Sequence, residues 1–201
     1  MWYASFAAPS HARTWAGVAE YALSCTLSVG TPTCFSKLVA VASAVGDFLD
    51  AAVKEIHRVA KLGLKGLELS CSWDMEPMWH PMWEPLWKAV NDVQLPLHFH
   101  TFPAVPQKVR MQQKGQVRRM AQFTSVAGFQ MNLINIIAAI IGAGVLERFP
   151  NMRVGFGESG IGWLPYALDR MDFEYEDRFR DLMKLKPSEY WRRQCRATFQ
   201  F

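Results

Sequence analysis

Cysteine is scarce in this chain and does not cluster. Cys25, Cys34, Cys71 and Cys195 stand apart, with no C-x-x-C spacing among them, and nothing resembles a secretory signal. Both observations read as reduced thiols in a cytoplasmic protein. Runs of like charge are also missing. The formal net charge of +4 is small, and Arg118-Arg119 and Arg192-Arg193 are only pairs, so a nucleic-acid surface is not indicated. There is no internal repeat and no linker that would split the chain. The longest apolar stretch, Phe129 to Leu146, is interrupted by Gln130, Asn132, Asn135, Gly142 and Gly144. It reads as a helix buried between neighbours, and no membrane partner is expected. What the chain has in quantity is apolar residue: 50% of 201 residues, enough for one large core.

From Lys37 onward, strand-like and helix-like segments alternate. Lys37 to Val45 is a β-branched and small apolar run, and Asp47 caps a helix on which Leu49, Ala52, Val53, Ile56, Val59 and Ala60 recur at helical spacing. His57 falls beside that stripe, as a surface histidine would. Gly63 ends the helix and Lys65 to Ser70 is the next strand. A loop rich in tryptophan and proline, Cys71 to Pro81, leads to a helix over Pro81 to Val93, with Trp83, Leu86, Trp87 and Val90 on its apolar side. A strand follows at Leu95 to Phe102, then a long polar loop over Thr101 to Arg119 and the apolar helix. Met152 to Gly157 is a strand, Trp163 to Met183 a helix, Pro187 opens another helix, and Arg196 to Phe201 is a last strand. Such alternation predicts an α/β fold with parallel strands joined by right-handed crossovers. Alternation alone does not choose between an open doubly wound sheet and a (β/α)8 barrel.

The most informative stretch is Leu95 to Phe102, LPLHFHTF. Side chains at i and i+2 of a strand share a face, so His98 and His100 project together from its end. Two imidazoles on a rigid strand suit a divalent metal, the alternative being hydrogen-bonded core histidines.

The turn Gly155 to Gly160, GFGESG, fits G-x-G-x-x-G between a strand and a helix. Glu158 argues against a dinucleotide, because it sets a carboxylate where a pyrophosphate would need backbone amides. A nucleophile elbow at Ser159 fails as well, since its last glycine would be Ile161. Glu158 itself remains, as a general acid/base or metal partner, or else as a helix N-terminal charge. His80, in Trp79-His80-Pro81, lies at a site mouth or packs its loop.

Several stretches together resemble the amidohydrolase-2 family: Val59–Gly66 (VAKLGLKG), Leu95–His100 (LPLHFH), Glu147–Gly160 (ERFPNMRVGFGESG), Trp163–Tyr166 continuing to Asp172, and Lys186–Tyr190 (KPSEY). This resemblance implies a metal-dependent TIM barrel of the type that includes aminocarboxymuconate-semialdehyde and resorcylate decarboxylases. Residues 37–201 would be a partial (β/α)8 barrel, with 1–36 a divergent N-terminal segment. The site would lie at the C-terminal strand ends. Through the resemblance, His100 corresponds to the metal-binding histidine of the fifth strand and His98 to its deeper neighbour, a second ligand or substrate-orienting group. Glu158 falls where many members carry a catalytic histidine. The cofactor implied is a divalent ion, zinc first, with manganese or magnesium as alternatives.

The family's strand-one His-x-His is absent: His11 is the only histidine before His57, and His11-Ala12-Arg13 is not that motif. The strand-eight aspartate would lie beyond Phe201. The leading expectation is a hydrolase or nonoxidative decarboxylase acting on a small carboxylate or amide/ester, aromatic ones included; Trp73, Trp79 and Trp83 either pack in the core, the favoured use, or wall the substrate. The alternative is a catalytically incomplete barrel with a binding or assembly role, whose unpaired strand edges, with Tyr21 to Val29 as the segment able to cover one, would favour homo-oligomers.

Overall fold

The computed structural model describes residues 38–41, 47–71, 75–101 and 104–198. Leu38–Phe201 forms one compact unit. Tyr21 to Val29 and Trp73 lie outside the described residues. Five strands make one sheet: β1 (Leu38–Val41), β2 (Gly66–Ser70), β3 (Leu97–His100), β4 (Val154–Gly157) and β5 (Cys195–Ala197). All neighbouring pairs are parallel, and their order in space, β1-β2-β3-β4-β5, is their order in the chain. A doubly wound sheet reverses its strand order at a switch point, whereas a barrel adds each new strand on the same side. The topology therefore supplies the choice that alternation left open. This is an arc of a (β/α) barrel.

The helices between the strands are α1 (Asp47–Lys61), α2 (Glu84–Val93), α3 (Gln107–Gln112), α4 (Gly115–Gly128), α5 (Leu133–Gly142), α6 (Val145–Arg148), α7 (Leu164–Glu174) and α8 (Pro187–Gln194). Because successive strands are offset by one, each crossover covers the same sheet face. That face is the core. Leu67, Leu69, Leu97, Phe99, Val154 and Phe156 point into it and meet Ile56 and Val59 of α1, Leu86, Trp87 and Val90 of α2, and the isoleucines of α5. Phe99 stacks on Phe156 at 5.7 Å, and Phe156 on Trp191 of α8 at 5.5 Å. The alternate residues, Glu68, His98, His100, Gly155 and Gly157, take the opposite face, the barrel lumen.

Local chemistry explains where elements stop. Gly63, at φ +76°, follows α1, and the N–H groups of Gly63 and Leu64 return to the carbonyls of Ala60 (3.0 Å) and Val59 (3.2 Å). This closes the helix in a Schellman motif and buries Leu64 at the start of the run into β2. Before α8, the Lys186 N–H donates to Glu189 Oε2 at 2.8 Å. Asp172 of α7 accepts both the N–H and the hydroxyl of Ser188, at 2.8 and 2.6 Å, which fixes the return of α8 towards β5.

Two expectations are corrected. The polar stretch Thr101 to Arg119 is not a loop throughout, because α3 and the start of α4 occupy it. Its Gln, Lys, Arg and Met residues are good helix formers, but α4 buries only Ser125, with Ala121 and Gly128 half-buried, and packs no apolar stripe into the core. The helix from Trp163 also stops short of Met183. It passes from α7 into a π-helical turn, Tyr175–Phe179, after which the chain turns so that Met183 is buried.

The apolar stretch is likewise subdivided, into a 3-10 turn at Phe129–Asn132, α5 and α6. Gly115–Gly142 as a whole is long and apolar enough to cross a bilayer by length and composition. Its second half nevertheless packs in the core through Leu133, Ile136, Ile137, Ile140 and Ile141.

Candidate active site

His98 and His100 both face the lumen from β3 and both are half-buried. The structure gives them different neighbours. His100 Nδ1 lies 3.0 Å from the carbonyl oxygen of Thr101. A carbonyl can only accept, so Nδ1 carries the proton and the neutral ring keeps its lone pair on Nε2. That nitrogen is 3.7 Å from Glu158 Oε2. Two acceptors thus face one another across a gap too long for a direct hydrogen bond and suited to a bridging cation. The side chains are 44% and 47% exposed, so a ligand can reach both.

His98 sits one row deeper, opposite Gly155 in the β3–β4 register. Its imidazole lies over that glycine. A Cβ there would fall 2.7 Å from His98 Cε1, so Gly155 provides the space for the ring. Gly155→Ala is expected to swing His98 out of its position and cost about 1–3 kcal/mol by overpacking. Gly157→Ala, whose Cβ would meet His100 Cδ2 at an ordinary 3.7 Å, should be tolerated. Denaturant titration of the two variants checks this; equal losses would refute it.

Glu158 leaves β4 in the left-handed region, at φ +52°. For a residue with a Cβ that conformation costs about 1–2 kcal/mol, so its surroundings must hold it. The Glu158 N–H donates to Thr198 Oγ1 at 3.0 Å, and Ser159 Oγ donates to the Thr198 carbonyl at 2.9 Å. Trp163 Nε1 donates to the Ser159 carbonyl at 2.7 Å. Ser159 is fully buried, its hydroxyl engaged by the backbone, which disposes of it as a nucleophile. Sequence reasoning missed Thr198, whose only signal was its place at the end of the strand beside β4.

The remaining candidates lie elsewhere. His80 accepts the Met82 N–H on Nδ1 at 3.2 Å and caps the 3-10 turn Pro81–Trp83, the loop-packing alternative. His57 is exposed on α1, Trp83 belongs to the core, and Trp79 is exposed. The described thiols are poor nucleophiles. Burial, with the charge of Glu68 adding to it, pushes Cys71 up to about 12. Burial likewise pushes Cys195 up to about 12, against a smaller opposing effect of Arg196.

The donor set fits a divalent ion in part. Two ligands each ~2.1 Å from one ion can stand up to about 4.2 Å apart, so the separation of His100 Nε2 and Glu158 Oε2 is compatible with a shared metal. A catalytic zinc keeps three protein ligands. Among the described residues no group of three His, Cys, Asp or Glu side chains is arranged to hold an ion.

The sequence matches the amidohydrolase-2 family, described as "Amidohydrolase", over residues 11–200. The chain belongs to this family. No curated protein matches this chain. Among solved structures it is similar to 5-carboxyvanillate decarboxylase of Sphingomonas paucimobilis, at 25% identity and TM-score 0.63, covering 90% of this chain and 52% of that one. It is also similar to 2,6-dihydroxybenzoate decarboxylase from Rhizobium, at 18% identity and TM-score 0.64, covering 90% and 56%. A third is a manganese-bound D314N mutant of the 5-carboxyvanillate decarboxylase of Novosphingobium aromaticivorans, with a nitrobenzoic acid. It is 21% identical with TM-score 0.67, covering 92% and 52%. The chain thus spans little more than half the length of these structures.

Proposed function

We propose that this chain carries the His100–Glu158 part of a metal-dependent amidohydrolase-2 site, acting as a nonoxidative decarboxylase or hydrolase on a small, aromatic carboxylate or amide/ester. The observation that carries this reading is the 3.7 Å approach of His100 Nε2 to Glu158 Oε2 at the C-terminal strand ends. In this site His100 would hold the ion through Nε2, its ring fixed by the Thr101 carbonyl. A bound divalent ion supplies Lewis-acid polarisation of a substrate oxygen. Glu158 moves a proton at Oε2, within reach of whatever occupies the gap. His98 orients substrate from the deeper row.

Imidazole and carboxylate donors suit zinc and manganese alike. The manganese and the benzoic acid in the Novosphingobium relative support a divalent ion and an aromatic acid here. The scattered basic residues and the buried isoleucines of α5 support a small-molecule substrate over nucleic acid or membrane. A cytoplasmic location fits the isolated thiols.

The second reading, an incomplete barrel that binds or assembles, draws on the count of two donors rather than three among the described residues. One experiment separates them. Elemental analysis of the purified chain should find near-stoichiometric divalent metal, lost in His100→Ala and kept in His57→Ala. Aromatic acids offered to the metal-loaded protein are then assayed for carbon dioxide release, and their amides and esters for hydrolysis. A metal-free wild-type chain, or equal metal in both variants, would overturn the enzyme reading.

A further inference from the structure

We infer that Thr198 is a positioning residue for the His100–Glu158 pair, holding the Glu158 corner so that its carboxylate faces the imidazole. The inference rests on reading those two side chains as one site. Thr198 stands one residue beyond the last paired position of β5, where Ala197 opposes Phe156. It therefore continues the lumen row in which His100 opposes Gly157. Gly157 leaves this row open between the imidazole of β3 and the hydroxyl beyond β5.

Each polar group of Thr198 is engaged on the chain around Glu158. Its N–H donates to the Phe156 carbonyl at 3.0 Å, extending the strand ladder one step. Its hydroxyl donates to the same carbonyl at 3.3 Å and accepts the Glu158 N–H at 3.0 Å. Its carbonyl accepts the Ser159 hydroxyl at 2.9 Å. A single side chain thereby satisfies the amide of a residue whose backbone is left-handed, at φ +52°. Without that acceptor the amide must seek another partner. Relaxation of φ towards ordinary values then turns the Cα–Cβ bond, and with it the carboxylate, away from His100. Glycine would make the same corner without help, but it would bring no carboxylate. The hydroxyl is the device that lets a glutamate stand there. Serine supplies the same acceptor, whereas valine copies the shape of threonine and supplies none.

Thr198→Val and Thr198→Ser in the full chain test this, with Thr198→Ala as a second deletion of the hydroxyl should the valine variant fail to fold. Two readouts are used: the crystal structure, and Mn2+ affinity from electron paramagnetic resonance. Thr198→Ser is expected to keep both the His100–Glu158 approach and the affinity. Thr198→Val or Thr198→Ala should move the carboxylate by about 1 Å or more and weaken Mn2+ binding about 10-fold or more, as loss of an outer support does. A valine or alanine variant with Glu158 unmoved overturns the inference, and so does a serine variant that behaves like valine. If the wild-type chain binds no Mn2+, the metal reading falls, and the structures alone decide the role of Thr198.

Discussion

Glu158→Gln is expected to lower metal-dependent turnover of an aromatic acid by about 10²–10⁴-fold, the range general acid–base groups contribute. Glutamine keeps the length of the side chain and the N–H that Thr198 accepts, so the corner should survive. It cannot carry the charge that faces His100 Nε2 across 3.7 Å, nor give and take a proton there. Glu158→Gly supplies the contrast. It removes the carboxylate too, yet relieves a left-handed backbone cost of about 1–2 kcal/mol against a glycine flexibility cost of about 0.5–1 kcal/mol. Its thermal midpoint should match or exceed that of wild type while activity is lost equally. Steady-state kinetics beside thermal denaturation of the three proteins makes the comparison. Full activity in either variant would remove Glu158 from the chemistry.

Phe156→Ala should destabilise the barrel arc by about 3–5 kcal/mol, the usual cost of emptying a buried aromatic site. Phe156 is 1% exposed and stacks on Phe99 and Trp191, so it joins β3, β4 and α8 at one point. For a domain whose whole stability is about 5–15 kcal/mol, that loss should leave a large unfolded fraction under mild denaturant. The site should fail as well, because the Phe156 carbonyl anchors Thr198 and the next two residues lead to Glu158. Phe123→Ala, at a ring 75% exposed on α4, should change stability by less than about 0.5 kcal/mol. Urea titrations of both variants read the difference directly. A Phe156→Ala protein as stable as Phe123→Ala would mean that the stacked rings do not hold the sheet.

Much of this protein was legible in its sequence because its signals are local. The i, i+2 spacing of His98 and His100 fixes a shared face. The stripe Leu49 to Ala60 makes α1 amphipathic, and Gly63 ends it, each through contacts within a few residues. Where no apolar stripe was buried the sequence misled: α3 and the first residues of α4 are helical, and their polarity resembled a loop. The mismatch at Met183 has the same origin, since charged exposed residues carry no record of where a helix stops.

Tertiary structure alone decided the rest. Strand order separates a barrel from a doubly wound sheet, and it depends on which edge each crossover returns to, which no single segment encodes. The two histidines share a face yet differ in surroundings, because Gly155 and Glu158, more than fifty positions away, lie beside one and then the other. The left-handed corner of Glu158 is held by Thr198, forty residues further on. Local chemistry named the groups that could act, while the pairing of distant strands chose which of them meet.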